Sequence, residues 1–391
     1  MSVAEVARRV GVTPSTLRRW IAGGLVPAGQ EGELTAASIA QARVVARLRD
    51  RGHTLAEIRA ATERGQLATG TIQGLLPDAP GRWSIDEAAR ESGLEPALVE
   101  RIFTSLGFGT PEHLTDDDIQ LLRHAASVLA AGLPLVAFLQ LLRVYGQAIS
   151  QIADAEVRLF HLYVHEPLMR DGVPGWQMAA EMEGLVRDIM PLASPIMEHA
   201  HNRFLQHDIE QDIIGHMEAD LGELDGGERL LGRLRVAIAF ADLAGYTRLT
   251  EEVGDEEAVG VVERFVEQVE ATLPDDARVI KTIGDEVMIV GSGVAALVAW
   301  AVAFQAEHRH RPLPRIGIHC GETLYRDGDY YGREVNQASR VAARAAGGEV
   351  LVTRPVVETA GAGIAFRLIG DVRLKGFSQP TELFLAGPAE G

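Results

Sequence analysis

Cysteine is almost absent from this sequence of 391 residues, which contains only Cys320. A lone cysteine excludes a disulfide within the chain and fits a reducing compartment. Positive charge is also scarce, since 37 Lys and Arg residues face 55 Asp and Glu residues and the formal charge is −18. This charge argues against general affinity for nucleic acid or for an anionic membrane. The N-terminus also lacks an apolar signal segment, so we expect a cytoplasmic protein.

Long apolar runs are equally rare. The stretch Val287–Ala306 contains twenty mostly apolar residues, but Gly291-Ser292-Gly293 interrupts it. We therefore expect a buried strand followed by a buried helix, and no contact with a membrane. With 47% hydrophobic residues over this length, the chain can bury the cores of two or three domains.

Lysine is the scarcest charged residue. Among the 37 basic residues only Lys281 and Lys375 are lysines, and the others are arginines. A lysine ammonium is a compact, rotatable point charge, whereas an arginine presents a planar fork. The two lysines are therefore candidates for sites that need an ammonium. A codon bias towards arginine would produce the same count, so both interpretations stay open at this point.

The N-terminal part has the pattern of a small helical domain. Residues 2–20 predict a helix, a glycine turn and a second helix, in which Thr13 is a suitable N-cap and Pro14 fits the first helical position. Together with Gly24–Pro27 and Leu48–Ile58, this stretch resembles the helix-turn-helix of the MerR family. The resemblance implies a fold that binds DNA in other proteins.

DNA binding by this unit is an open alternative that its charges do not favour. Arg18 and Arg19 on the second predicted helix could reach phosphate or guanine. The segment Gly29–Thr35, however, contains two Glu residues where the MerR pattern has basic and aromatic ones. The electrostatic footprint for nucleic acid is therefore weak. An ordinary helical unit is the competing interpretation.

The same pattern recurs about 80 residues later, which indicates a tandem repeat. Ser84–Ile102 matches the first unit at an offset of 82 residues, for example Pro14 with Pro96. Glu95 and Glu100 lie on the helix that would recognise DNA, where they would repel phosphate. We therefore expect a degenerate second helix-turn-helix unit that serves structure or partner binding.

A helical pattern then continues to about Ala219 and predicts a regulatory region with a linker helix at residues 147–219. The last helix of this region carries four of the twelve histidines. They could form a pH-sensitive element, and solvated surface histidines are the alternative. The four histidines are His199, His201, His207 and His216.

The periodicity changes to alternating strands and helices at residues 229–388. An apolar strand, Arg233–Ala241, ends at Asp242, and two later strands flank a Gly284-Asp285 turn. The order of elements predicts an α+β, ferredoxin-like domain with its helices on one face of the sheet. We therefore predict a multidomain protein, in which an all-α N-terminal region precedes this domain. The all-α region divides into residues 1–66, 67–146 and 147–219.

Two pairs of polar residues suggest chemistry in the last domain, although each residue alone has an ordinary role as a cap or turn residue. Asp242 and Asp285 end strands that we expect to be adjacent, and two carboxylates are the minimum for holding two divalent ions on a phosphate. Asn336 and Arg340 are four residues apart on one predicted helix and so face the same way. An amide and a guanidinium on one face suit a ribose oxygen and a phosphoryl transition state.

These residues lie in motifs that resemble the catalytic domain of class III nucleotidyl cyclases over residues 234–386. The resemblance implies that Asp242 and Asp285 bind two Mg²⁺ or Mn²⁺ ions with help from the Leu243 carbonyl. The matching motifs are F-A-D-L-A-G-Y-T (Phe240–Thr247), K-T-I-G-D (Lys281–Asp285), D-Y-Y-G-R-E-V-N-Q-A-S-R (Asp329–Arg340) and R-L-K-G-F (Arg373–Phe377).

The resemblance also implies a role for each nucleotide-binding position. Lys281 and Asp329 would bind the purine edge, and this combination is the family's adenine-selecting pair. Asn336 would orient the ribose, and Arg340 would stabilise charge on the α-phosphate. Lys375 would hold the triphosphate, so both lysines of the chain fall on ligand positions.

The implied activity is an adenylyl cyclase that converts ATP to 3′,5′-cyclic AMP and pyrophosphate. In this family the metal aspartates come from one chain and the nucleotide residues from its partner, so a homodimer with two equivalent sites is expected. Residues 1–219 resemble the regulatory region of soluble actinobacterial cyclases. We therefore hypothesise autoinhibition that a signal relieves, with protonation of the linker histidines as one candidate signal.

Two other functions remain as alternatives. One is a one-component transcription regulator whose cyclase-like domain binds nucleotide without catalysis, which the MerR-like unit supports. The other is a diguanylate cyclase, because I-G-D-E-V resembles G-G-D-E-F. The first glycine of that motif is Ile283 here, and the spacing from Asp329 to Arg340 has no role in such enzymes.

Overall fold

The computed structural model describes residues 1–28, 34–63, 81–171, 175–222, 233–361 and 363–388. They form two compact units, Met1–Gln206 and His207–Gly391. The first is all helical and the second is built on a mixed sheet, which confirms the predicted multidomain architecture. The finer boundaries within the helical region stay predictions. Across the described ranges, no helix is long and apolar enough to cross a membrane.

The first unit begins with the predicted helix-turn-helix. Thr13 accepts a hydrogen bond from the Thr16 amide, and Pro14 occupies the first helical turn, as expected for an N-cap followed by proline. Within the predicted wing, residues 29–33 lie outside the described residues. The helices are α1 (Val3–Val10), α2 (Pro14–Ala22), α3 (Ala36–Asp50) and α4 (Leu55–Glu63).

A second set of helices repeats the first, which confirms the predicted tandem units. Thr35 and Thr115 both begin a helix with a capping box, and they lie 80 residues apart. Buried positions also correspond, for example Leu17 with Val99 and Ile58 with Phe138. The repeated helices are α5 (Ile85–Ser92), α6 (Pro96–Leu106), α7 (Asp116–Ala130) and α8 (Leu135–Phe160).

The remaining helices are a π-helical turn (His161–His165), α9 (Glu166–Arg170) and the long α10 (Gly175–Gly222). The predicted histidine-rich helix is the C-terminal half of α10. His199, His201 and His207 are exposed there, as the surface interpretation requires. The side chain of His216 lies outside the described residues.

The second unit contains an eight-stranded sheet with the order β2-β3-β1-β4-β6-β8-β7, and β5 pairs with β4. The central strand β1 is antiparallel to both β3 and β4, and β4 is parallel to β6. The strands are β1 (Arg233–Leu243), β2 (Ala277–Ile283), β3 (Glu286–Gly291), β4 (Pro314–Arg326), β5 (Asp329–Tyr331), β6 (Val350–Thr353), β7 (Ile364–Val372) and β8 (Thr381–Pro388).

Helices cover both faces of this sheet, so the expectation of helices on one face was wrong. One face packs against α12, α13 and α15 through residues such as Phe265 and Leu297. The opposite face packs against α14, whose Ala338 and Ala342 contact the core around Ile238. The helices are α11 (Tyr246–Val253), α12 (Asp255–Thr272), α13 (Val294–Glu307), α14 (Arg333–Arg344) and α15 (Arg354–Ala360).

The residues of β1 explain why helices cover both faces of the sheet. The middle residues of this strand are buried on both faces, with alanines directed to the α13 side and Ile238 and Phe240 to the α14 side. A continuous apolar strand needs cover on both faces, unlike a strand that alternates apolar and polar residues. The cover on the second face is α14, an otherwise polar helix that buries Ala338, Val341 and Ala342 along one side.

Gly317 of β4 gives α14 its close approach to the sheet. A Cβ atom at this position would lie 2.0 Å from the Ala342 backbone nitrogen. We expect Gly317→Ala to destabilise the protein by about 3 kcal/mol or more, because a backbone atom cannot rotate out of the way. Chemical unfolding of the full chain measures the effect. Gly387→Ala in β8 is the matched control, since its Cβ would meet no atom within 4 Å. Equal losses of stability in the two variants would contradict a steric clash at Gly317.

Candidate active site

The end of β1 and the β2–β3 turn bring the two predicted metal-binding carboxylates together. Asp242 is 9% exposed and pairs in register with Glu286 of β3, the residue that follows Asp285. The turn is the tight one that the sequence predicts, with Gly284 at φ +66°. Burial and the neighbouring Asp242 carboxyl raise the pKa of Asp285 to about 7.

This carboxyl pair fits a divalent cation. Burial raises the pKa of Asp285 most and the neighbouring Asp242 carboxyl adds to it, and a divalent cation would relieve the repulsion between the two carboxylates. Leu243, the third predicted metal residue, is buried beside Asp242 at the end of β1. In the described part of the chain, no three His, Cys, Asp or Glu side chains converge as a metal site. The two aspartates and neighbouring backbone oxygens are therefore the donors available for a cation.

Arg315 of β4 completes this cluster, and sequence reasoning missed it. Its Nε donates to Asp242 Oδ2 at 2.7 Å, and a second guanidinium nitrogen makes a shorter contact with the same oxygen. The register of β1 and β4 pairs Asp242 directly with Arg315. The predicted strand began one residue later, at Ile316. If the predicted strand at Ile316 is paired with β1, a residue near its start lies opposite Asp242, and this pairing is the one sequence-based indication of Arg315.

The predicted purine pair also meets. The Lys281 ammonium makes an ion pair with the Asp329 carboxylate, 48 residues later in the chain. Lys281 follows an irregularity in the register of β2 after Val279, and such a bulge can redirect a side chain. Asp329 begins β5, and its other carboxylate oxygen accepts a hydrogen bond of 2.8 Å from the Tyr330 amide. A donor and an acceptor therefore lie side by side, both partly exposed.

Asn336 and Arg340 are exposed on α14, one helical turn apart. The charge of Arg340 reaches Glu286, beside the carboxyl pair. Burial and Asp242 raise the pKa of Glu286, whereas Arg315 and Arg340 act in the opposite direction. The α14 face that carries Asn336 and Arg340 is thus open to a ligand or to another chain.

Lys375 stands apart from the other predicted residues. It is exposed in the turn between β7 and β8. None of the contacts found among the described residues joins it to Asp242, Asp285 or Lys281. Its assignment to the triphosphate stays a prediction.

Comparison with known proteins agrees with this geometry. Residues 233–387 match the adenylate and guanylate cyclase catalytic domain, and residues 1–64 match the MerR helix-turn-helix family of regulatory proteins. A pH-sensitive adenylate cyclase from Mycobacterium tuberculosis is 30% identical over 358 residues, which cover 88% of this chain and 87% of the relative. The chain belongs to the class III adenylate cyclase family.

Other cyclases share parts of this chain. An adenylate cyclase from Streptomyces coelicolor is 30% identical over 299 residues, covering 73% of this cyclase and 74% of the relative. Among solved structures, the adenylyl cyclase CyaB from P. aeruginosa is 24% identical, with a TM-score of 0.35. The matched region covers 40% of this cyclase and 96% of the CyaB chain. The long similarity to the two relatives therefore extends beyond the catalytic domain into the helical region.

Proposed function

We propose that this cyclase converts ATP to 3′,5′-cyclic AMP and pyrophosphate at a site that contains the two pairs described above. The observation that carries the proposal is the ion pair between Lys281 and Asp329. It lies in the same unit as the neighbouring Asp242 and Asp285 carboxyls. The names of the two relatives, both adenylate cyclases, support ATP as the substrate.

Lys281 and Asp329 would select the base. The Lys281 ammonium donates to N1 of adenine, and the Asp329 carboxylate accepts from the N6 amino group. Their existing ion pair holds both side chains in place before the nucleotide enters, so little conformational freedom is lost on binding.

The reaction is an in-line substitution at the α-phosphorus. The ribose 3′-oxygen forms the new bond to phosphorus, the bond to the pyrophosphate oxygen breaks, and the proton of the 3′-hydroxyl is released to solvent. Asn336 would orient the ribose, and Arg340 would stabilise the charge that grows on the α-phosphate. Asp242, Asp285 and the Leu243 carbonyl would hold two Mg²⁺ or Mn²⁺ ions, which supply charge neutralisation and a lower pKa for the attacking hydroxyl.

Arg315 and Lys375 would bind the triphosphate. The Arg315 guanidinium is already directed at the carboxyl pair, and its fork matches two phosphate oxygens. We expect Arg315→Ala to lower kcat/KM for ATP by about 100-fold. Arg315→Lys should retain more of the wild-type kcat/KM than alanine does but less than arginine, because an ammonium cannot make the bidentate contact. Initial rates at varied ATP concentrations measure both. Arg235→Ala, at the other end of β1, is the matched control, and a full rescue by lysine would contradict the bidentate role.

The active site would form between two chains. Asn336 and Arg340 are exposed, although a complete site needs them at the nucleotide. A homodimer in which each chain supplies the metal aspartates of one site and the nucleotide residues of the other satisfies this need.

The helical region would regulate the enzyme. We propose that it inhibits the catalytic domain until a signal, with proton uptake by the α10 histidines as the candidate, changes its structure. The support is the exposure of His199, His201 and His207 and the similarity to a pH-sensitive relative. Replacing these three histidines with Gln in the full chain should flatten the pH profile of the cyclase rate. An unchanged profile would contradict the pH role, and a fragment of residues 229–391 no faster than the full chain would contradict autoinhibition.

Transcriptional regulation is a second candidate, favoured by the MerR-like unit and by exposed Arg18 and Arg19 on α2. It predicts binding to a specific duplex that weakens with salt, together with no cyclase activity.

The decisive experiment identifies the product. The purified full chain is incubated with ATP or with GTP in the presence of Mn²⁺, and the products are separated and identified. We expect cyclic AMP from ATP. Cyclic GMP alone or cyclic di-GMP would replace the proposed reaction by another one, and the absence of any product would favour the nucleotide-binding regulator.

A further inference from the structure

One face of β4 is shaped to receive α14. Gly317, His319 and Gly321 alternate along the strand and so face the same side. Gly317 lies against the α14 backbone, and a Cβ atom on Gly321 would meet the Glu334 side chain at 3.0 Å. His319 lies between these two glycines and is 3% exposed. The strand thus leaves room for the helix at two points and presents a polar ring between them.

Both nitrogens of the His319 ring are used. Nδ1 lies 2.7 Å from the Thr353 hydroxyl, and Nε2 makes a shorter contact with a carboxylate oxygen of Glu334. Burial lowers the pKa of His319, against the opposing effect of Glu334, and the charge of Arg333 adds to the lowering. Burial therefore favours the neutral form of the ring. Because a carboxylate only accepts, Nε2 carries the proton that it donates to Glu334, and Nδ1 accepts from Thr353.

Thr353 contacts His319 instead of capping its own helix. Thr353 is at the N-cap position of α15, where a threonine side chain commonly accepts a hydrogen bond from the helix. It makes no such capping bond here. Its hydroxyl, fully buried, is instead used by His319. The threonine thus supports the histidine at the expense of its own helix.

Glu334 connects this buried ring to the proposed catalytic residues. It lies in the first turn of α14, two residues before Asn336 and six before Arg340. We propose that His319 is a positioning residue that holds α14, through Glu334, in the orientation that presents Asn336 and Arg340 to the nucleotide. The roles of those two residues rest on the proposed function. Gly317 holds the other end of the helix at Ala342, so the two contacts together define both the height and the rotation of α14.

Two substitutions of His319 separate positioning from simple packing. His319→Gln places an amide nitrogen near the position of Nε2 and can still donate to Glu334. His319→Asn places its amide near Nδ1, where it can serve Thr353 but cannot reach Glu334. We expect His319→Asn to lower kcat by at least about tenfold, with KM for ATP changed by less than about threefold, because misplaced groups lose transition-state contacts first. His319→Gln should keep most of the activity.

A third variant removes the same hydrogen bond from the partly exposed side. Glu334→Ala should lower kcat as much as His319→Asn, and the double variant should be no worse than either, because one interaction is lost in all three. Equal kcat for His319→Asn and wild type would overturn the proposal. The proposal would also be overturned if the Gln and Asn variants lost kcat equally, if only KM changed, or if the two decreases in kcat added up in the double variant.

Amide hydrogen exchange of the full chain tests the same contact without the reaction. We expect the amides of α14 to exchange at least about tenfold faster in His319→Asn than in wild type or His319→Gln, while those of α13 keep their rates. Equal α14 exchange in all three proteins would overturn the positioning role. If the wild-type protein makes no cyclic AMP, the proposed function fails, whereas the exchange result still decides whether His319 holds α14.

Discussion

We expect Asp285→Asn to lower the rate of cyclic AMP formation by at least about 10³-fold, because it removes one of the two charges available to hold the metal ions. Asparagine keeps the shape of the side chain and one oxygen, so the turn between β2 and β3 should survive. The variant also removes a buried carboxyl whose pKa is raised by burial and by the neighbouring Asp242. The apo protein should therefore be at least as stable as the wild type while catalysis is lost.

Initial rates with saturating ATP and Mn²⁺ measure the loss, and thermal unfolding without metal measures the stability. Asp275→Asn is the matched control, since Asp275 is an exposed aspartate just before β2. It should retain wild-type rates. An Asp285→Asn enzyme with more than a tenth of the wild-type rate would show that this carboxylate does not hold the catalytic ions.

Two inactive variants should restore each other when they are mixed. If each site combines the metal residues of one chain with the purine residues of its partner, a heterodimer of Lys281→Ala and Asp285→Ala contains one intact site and one doubly damaged site. Random exchange makes half of the dimers heterodimers, so an equal mixture should regain about a quarter of the wild-type activity. This is a large recovery from two proteins that each show almost none.

The Lys281–Asp329 ion pair supplies the control for this experiment. Both residues lie in one chain and bind each other there, so they belong to the same half of the composite site. A mixture of Lys281→Ala with Asp329→Ala should therefore stay inactive. Recovery in this mixture, or no recovery in the first mixture despite confirmed exchange of subunits, would contradict the two-chain site.

Local patterns predicted the elements that local interactions define. The Gly284-Asp285 turn was predicted because glycine at positive φ favours a tight turn, and the structure contains that turn. The tandem helical units were predicted from residues that recur at an offset of about 82 positions, such as Pro14 and Pro96, and the structure repeats both the helices and their buried positions. In these cases the residues that specify the element lie within a few positions of each other.

Contacts between distant strands were predicted incompletely. Arg315 was missed because its importance depends on the register of β4 against β1, which no pattern near residue 315 encodes. All helices were expected on one face of the sheet, whereas α14 covers the opposite face, where Ala338 and Ala342 pack against the core around Ile238. The buried residues of α14 do form an apolar side, but such a stripe does not indicate which face of the sheet the helix covers.

The sequence by itself determined the order of the elements, the family and the candidate residues, because these depend on neighbouring positions and on motifs with fixed spacing. Only the tertiary structure decided which of those residues meet. The sheet order places β1 between β3 and β4, and this alone brings Asp242 to Asp285 and to Arg315. It also seats Glu334 on His319. Such meetings follow from packing an apolar sheet on both faces, and that is a property of the whole domain.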